Sequence, residues 1–505
     1  MDGEGSARAA TGPRARRRTE PRTEPRTELR ARPRREAGAE QPSAPSARPT
    51  RSRAVAATAA AALAVGALAL HPSGDGPATA QDAALDASTA ATIDLYQEGV
   101  ALTGGRGFVQ VAPGSGATYL VGTRVLGTAP QPTVLAARTR DWLASGDVPG
   151  AGTRWDDLGR DAILDLHALV GPEGAVVAGP SPYWRYVWPR DASFAAAAMA
   201  RTGHADEALR ILGFLGDVQG DDGSFQARYL PDASGVPDDR GAQSDGAGWV
   251  LWATDLTLTE IARSAGPSAR LAAADELGTL VERSTAHLLD QVATDDGLPL
   301  ASPDYWELPT DTLTLGTAAP ILAGLEAALR MSDDAAPAGG DVAAREEVAL
   351  ATDRLRAAIV DEFGSQGYPR EVDGGPRDAA TAFLLPPFQP TALHAAERAW
   401  ARSVPDMLRP AGGLAPGGSW RDDGVSWTPQ TTLYAYAAAA NGHRVQAEHW
   451  LTWIDEHRTG TGAIPEKVLA DGSPAAVAPL AWSAALTVLA LTELDPARTD
   501  PLAAG

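Results

Sequence analysis

The chain contains no cysteine, which excludes disulfide frameworks and thiolate metal sites and leaves its redox compartment open. Its eight histidines show no paired metal-ligand spacing; contexts such as "HALV" and "GHRV" read as helix surfaces or ends. Glycine-rich stretches do not follow strands, so a phosphate-binding loop is also excluded. Positive charge is scarce beyond the N-terminal tail. Residues 1–53 carry 14 Arg against 7 acidic residues, so the overall charge of -21 leaves -28 on the rest of the chain. An acidic body of that size repels nucleic acid, disfavours a polyanionic substrate and suits a neutral one.

What is present is enough for a large core: 505 residues, 44% hydrophobic, with Trp 13. Residues 1–53, with a short "RTEP" repeat, read as a disordered basic tail that cannot bury a core. Residues 54–70 are charge-free and follow Arg51 and Arg53. They are expected to form a single-pass anchor in the cell membrane with the body outside. The alternative is a signal segment cleaved near Ala78–Ala80, giving a secreted protein. Residues 71–130 read as a linker with a small β-hairpin at 107–127 around "PGSG". Residues 131–505 read as one large domain, opening with a helix at 133–145.

From Trp155 onward two kinds of helix alternate. Those at 155–170, 204–217, 271–293, 343–363, 391–404 and 444–457 are amphipathic and charged. Those at 191–202, 246–264, 311–331, 378–385, 430–441 and 482–494 are apolar nearly all round and rich in small residues. A helix that is apolar on every face is buried on every face. Six buried helices alternating with six half-exposed ones define an all-α (α/α)6 barrel; a solenoid would show a fixed repeat length. Each inner helix follows a polar or aromatic loop: "YWRYVWPRD", "DDRGAQSDG", "SPDYWELPTD", "VDGGPRD", "DDGVSWTPQ" and "AVAPLAWS". These loops converge at one mouth, where indole faces suit the apolar face of a pyranose and Asp, Arg and Gln suit its hydroxyls.

Two glutamates stand out there. Glu307 lies beside Tyr305 and Trp306, whose rings are expected to desolvate its carboxyl and favour a proton donor, with Asp304 as the alternative acid. Glu466 lies in a polar turn beside Lys467, where a solvated carboxylate stays ionised and can act as a base on water. Such a pair serves glycoside hydrolysis.

The motifs "YVWPRD", "SPDYWE" and "IPE…PLAWS", in this order, resemble the glucoamylase family, glycoside hydrolase family fifteen, over residues 155–495. The resemblance implies the same barrel fold and an inverting exo-acting α-glucosidase that releases β-glucose from non-reducing ends of α-glucans or oligosaccharides. It implies Glu307 as general acid and Glu466 as general base. It also implies Arg190 and Asp191 gripping the terminal glucose, with Trp188, Gln243, Asp245, Asp304, Trp306 and Trp482 at the substrate. No metal or cofactor is implied, and a monomer is expected.

Three departures stand out. Leu308 replaces a second glutamate often found after the acid, which puts plus-side specificity in question. The family's W-G-R-P-Q-N-D-G loop survives only as "RGAQSDG", with its Trp missing and Arg240 one place off register. The family's bacterial β-domain is absent or reduced to the hairpin. Alternatives are a relative tuned to α-1,6-glucan or trehalose, a catalytically silent surface glycan-binding protein, and a helical scaffold for another protein. Asp221–Asp222 and Asp422–Asp423 read as turns, with a calcium site as the alternative.

Overall fold

Alanine, glycine and threonine fill the faces along which six helices meet. The computed structural model describes residues 96–104, 107–335 and 342–496. The inner elements are Pro189–Arg201, Asp245–Ala265, Leu315–Ala335, the short 3-10 segment Ala379–Leu384, Thr428–Ala440 and Ala481–Glu493. They pack in sequence order, and the last lies against the first, so the ring closes. Outside it lie Asp156–Leu169, Ala205–Val218, Gly278–Val292, Val342–Glu362, Ala396–Met407 and Arg444–Glu456. This is the (α/α)6 barrel expected from the alternation of the two helix types.

Small residues set the spacing of the ring. A Cβ on Gly248 would lie 2.2 Å from the Pro320 carbonyl oxygen, and one on Gly324 would lie 2.6 Å from the Gly248 Cα. These helices therefore approach backbone to backbone. Several buried hydroxyls on the inner helices return to their own backbone, as Ser193 does to Pro189 and Thr432 to Thr428. That satisfies polar groups which would otherwise be costly to bury.

Some boundaries differ from expectation. The outer helix expected at 271–293 is two, Pro267–Glu276 and Gly278–Val292, and the fourth inner element is a 3-10 helix of six residues. The helix expected at 133–145 is Pro132–Ala144. The hairpin is not built around "PGSG": Gly99–Thr103 pairs antiparallel with Gly107–Val111, Ala101 facing Val109, while Tyr119 and Leu126 share a single bridge. The hairpin lies on the outer helix Asp156–Leu169. Gln110 donates to the Pro180 carbonyl at 2.7 Å, and the Glu98 carbonyl accepts from the hydroxyls of Thr459 and Thr461. Buried Arg124 pairs with Asp165 at 2.5 Å.

The single-pass membrane expectation is corrected. Among the described residues no helix is long and apolar enough to cross a membrane. The longest inner helices carry charge along their length, Asp245, Asp255, Glu260 and Arg263 on one and Glu326 and Arg330 on another. The run at 54–70, like the tail at 1–53 and the linker at 71–92, lies outside the described residues.

The six loops that enter the inner helices, one to six at 170–188, 219–244, 293–314, 363–378, 408–427 and 457–480, form a ring of their own. Val187 pairs with Tyr229, joining loops one and two. The Ser244 amide donates to Ser302 Oγ at 3.1 Å, joining two and three. Thr314 pairs with Glu371, and Asp378 with Gly417, joining three to four and four to five. Trp427 pairs with Lys467, and the Ala481 amide donates to the Ala178 carbonyl at 2.8 Å, joining five to six and six to one. The mouth is thus held by hydrogen bonds on all sides, backbone to backbone at each join except that of loops two and three.

Candidate active site

Pro189 opens the first inner helix, where its missing N–H costs nothing. Arg190 and Asp191 follow in the first turn, both buried, and face the mouth. The Arg190 guanidinium collects the site. It lies 3.1 Å from Asp245 in the first turn of the second inner helix, 3.7 Å from Asp191 and 3.6 Å from Glu307. Its carbon sits 5.0 Å from the ring centroid of Trp482, in the first turn of the sixth. Burial pushes the Asp191 carboxyl up to about 7 against the pull of Arg190, with the charges of Glu307 and Asp245 adding to the rise. Burial likewise raises Asp245, while Arg190 opposes it.

Glu307 has a backbone φ of 54°, in the left-handed region that a glutamate rarely occupies. Such a conformation costs of order 1–3 kcal/mol and persists where the surroundings hold it. Its amide donates to the Asp304 carbonyl at 2.7 Å, closing the turn that sends its side chain into the mouth. There Trp188 Nε1 donates to Oε1 and Arg240 Nη1 donates to Oε2. The aromatic enclosure expected from Tyr305 and Trp306 does not form. Tyr305 donates to Asp378 at 2.8 Å, and Trp306 lies on the Arg370 guanidinium, 3.7 Å from its ring centroid, with its edge toward Trp420. Two cations and an indole N–H surround Glu307 instead.

Glu466 is 8% exposed, so the solvated carboxylate expected there is mostly enclosed. Its cationic neighbour is as expected: Lys467 Nζ lies 3.5 Å from Oε2 and 4.5 Å over the Trp427 ring. The Glu466 amide donates to the Val477 carbonyl at 2.8 Å. Val477 packs in one cluster with Ala178, Trp188 and Leu480, and Trp188 is the indole that holds Glu307. Two hydrogen bonds and one apolar cluster therefore connect the two glutamates across the mouth. They come from loops three and six, opposite positions in a ring of six.

Gln243 is buried just ahead of Asp245, its amide donating to the Phe225 carbonyl at 3.0 Å. Asp304 is committed elsewhere. It is 1% exposed, pairs with the Arg370 guanidinium at 2.8 Å and accepts from it at 3.0 Å, from the Thr314 hydroxyl at 2.7 Å and from the Trp306 amide at 2.9 Å. Arg370 also binds Asp378 at 2.8 Å, so this cluster joins loops three and four. With its acceptors filled, Asp304 is poorly placed to be the alternative acid.

Sequence reading set Arg240 aside for its register, and it lies on the candidate acid. Arg228 was also missed; it pairs with Asp238 and stacks 4.4 Å from Tyr186 and 5.0 Å from Trp188. So was Trp420, which bridges Trp306 and Trp427 edge to face. A cation in a mouth loop otherwise supplied with acids was the available signal for both arginines. The acidic pairs are turns: Asp222 accepts from the Ser224 amide and hydroxyl, and Asp423 from the Val425 amide. Among the described residues no group of three or more His, Asp or Glu is arranged to hold a metal.

No family model matches the chain. A stretch of 97 residues is 35% identical to an uncharacterized glycosyl hydrolase of Methanocaldococcus jannaschii; it covers 19% of this chain and spans 15% of that protein's length. Among solved structures, a glycosidase in complex with glucose matches with a TM-score of 0.55 and 21% identity, covering 67% of this chain and 96% of the other. A bacterial glucoamylase complexed with acarbose matches with a TM-score of 0.55 and 16% identity, covering 71% and 58%. At such identities these structures establish a shared fold, the helical barrel of glucoamylase-type proteins.

Proposed function

We propose that the protein is a glycoside hydrolase, and specifically an inverting exo-acting α-glucosidase of glucoamylase type. The observation that carries this reading is Glu307, a glutamate on left-handed backbone whose two carboxylate oxygens meet Trp188 and Arg240 in a mouth also holding Glu466. The glycosidase and glucoamylase names among the matching proteins support it. So does the order of the motifs along the chain.

In this reading Arg190, Asp191 and Asp245 bind the hydroxyls of the terminal glucose, with Gln243 beside them, while Trp188 and Trp482 supply the indole faces. Glu307 gives its proton to the glycosidic oxygen as the bond to the anomeric carbon breaks. Glu466 takes a proton from a water that attacks the same carbon from the far side. The opposite placement of loops three and six lets the two carboxyls flank the sugar, as glycoside hydrolysis requires, and their separation decides between inversion and retention. Their carboxyls are expected about 6.5–9.5 Å apart in the substrate complex. Leu308 offers no charge to the leaving sugar, which favours substrates held by stacking.

The test is sugar release from starch and a panel of α-linked disaccharides by the wild type, Glu307→Gln and Glu466→Gln. Each variant should lose roughly 10²–10⁴-fold in kcat on every substrate the wild type cleaves. Full activity in either variant would remove that residue from the mechanism. No cleavage by the wild type of any member would remove the activity.

A further inference from the structure

Arg240 reaches Glu307 from the solvent side of the mouth. Its Nη1 donates to one carboxylate oxygen of Glu307, and its Nε lies 3.2 Å from Asp238, which also holds Arg228. The Arg240 side chain is 40% exposed, whereas that of Arg190, 3.6 Å from the other oxygen, is 6% exposed. One arginine is fixed beneath the carboxylate by Asp245 and Trp482. The other hangs over it from a loop, with a second carboxylate already within reach.

A general acid must carry a proton once substrate is in place, and a guanidinium in contact with it disfavours that proton. We infer, resting on the reading of Glu307 as the acid, that Arg240 is a removable counter-ion. It holds Glu307 as a carboxylate in the free enzyme. When the leaving group of a substrate occupies the space over Glu307, Arg240 turns back onto Asp238 and Glu307 takes up its proton. Arg240 is a positioning residue, since it acts on the acid and not on the reacting bond. The other groups facing Glu307 are Trp188 from loop one and Arg190 beneath, with Asp191 and Asp245 behind that arginine. They are buried, whereas Arg240 is exposed and free to swing, so Arg240 supplies the difference.

The pH dependence separates this role from a structural one. The alkaline limb of kcat/KM reports the acid in the free enzyme, and that of kcat reports it in the complex. In the wild type the kcat/KM limb should fall at lower pH than the kcat limb, by about one unit or more. Arg240→Gln should raise the kcat/KM limb until the two coincide, and Arg240→Lys should keep them apart. Asp238→Asn removes the resting place of Arg240 and should lower the kcat limb. Circular dichroism confirms folding of each variant, and if Arg240→Gln does not turn over, the Arg240→Lys and Asp238→Asn profiles decide. Limbs that coincide in the wild type, or stay apart in Arg240→Gln, overturn the inference while an inactive Glu307→Gln leaves the acid in place. A fully active Glu307→Gln overturns the acid itself.

Discussion

Three residues apart in one loop, Asp304 and Glu307 show how burial and partners divide two carboxylates into different tasks. Asp304 is enclosed, takes three hydrogen bonds, one of them from Arg370, and forms a further ion pair with that arginine. Glu307 faces the mouth and meets donors from loops one and two. Breaking a buried pair by removing one charge costs on the order of 3–5 kcal/mol. Asp304→Asn should therefore lower the stability measured by chemical denaturation by about that much, while Glu307→Gln should lose activity and keep near wild-type stability. An Asp304→Asn variant that folds like the wild type and is inactive would move the acid to Asp304. Sequence pointed to the loop and put Glu307 ahead of Asp304, but the reason it offered, aromatic neighbours, is not what separates the two acids in the structure. The partner that fixes Asp304 is Arg370, and the left-handed turn at Glu307 has no glycine to announce it. Arg240 was hidden for a similar reason, since its contact with Glu307 joins two loops by folding alone.

The elements were far more legible, because an inner helix must be apolar on every face and few other structures require that. Thr428–Ala440 and Ala481–Glu493 follow the expected bounds to within about two residues, while Leu315–Ala335 begins later because its loop continues to Thr314. The fourth element is short because the expected helix at 378–385 becomes a 3-10 segment and ends at Leu385, which returns to extended backbone. The break at Leu277–Gly278 divides an outer helix whose apolar pattern runs on through it. The hairpin was misplaced by one strand, since "PGSG" is a strong turn signal that here follows the second strand. Ring geometry makes its own prediction. At Gly248 an added methyl would meet backbone of the neighbouring helix, so Gly248→Ala should destabilise by about 1–3 kcal/mol. Gly213→Ala on the outer helix Ala205–Val218 meets nothing within 4 Å and should be neutral or stabilising by up to ~1 kcal/mol. Thermal melts of the two variants compare the helix contact directly. Equal melting temperatures would mean that the inner ring yields where it is drawn tightest.

At the scale of the whole molecule, the closed ring of helices turns six loops toward one another, and the ring of loops assembles a site from residues as far apart in sequence as Trp188 and Trp482. Arg190 gathers Asp191, Asp245, Glu307 and Trp482 from the first turns and loops of four sectors, a convergence the motif order had indicated. The acidic body suits a neutral sugar. The central claim is that acid and base act from opposite sides of an α-linked glucose. It is tested most directly by the configuration of the first sugar released, followed by proton NMR in the first minutes of reaction, before mutarotation. Attack by water from the Glu466 side predicts β-glucose ahead of α-glucose. An initial α-glucose signal would mean retention of configuration and would contradict the account.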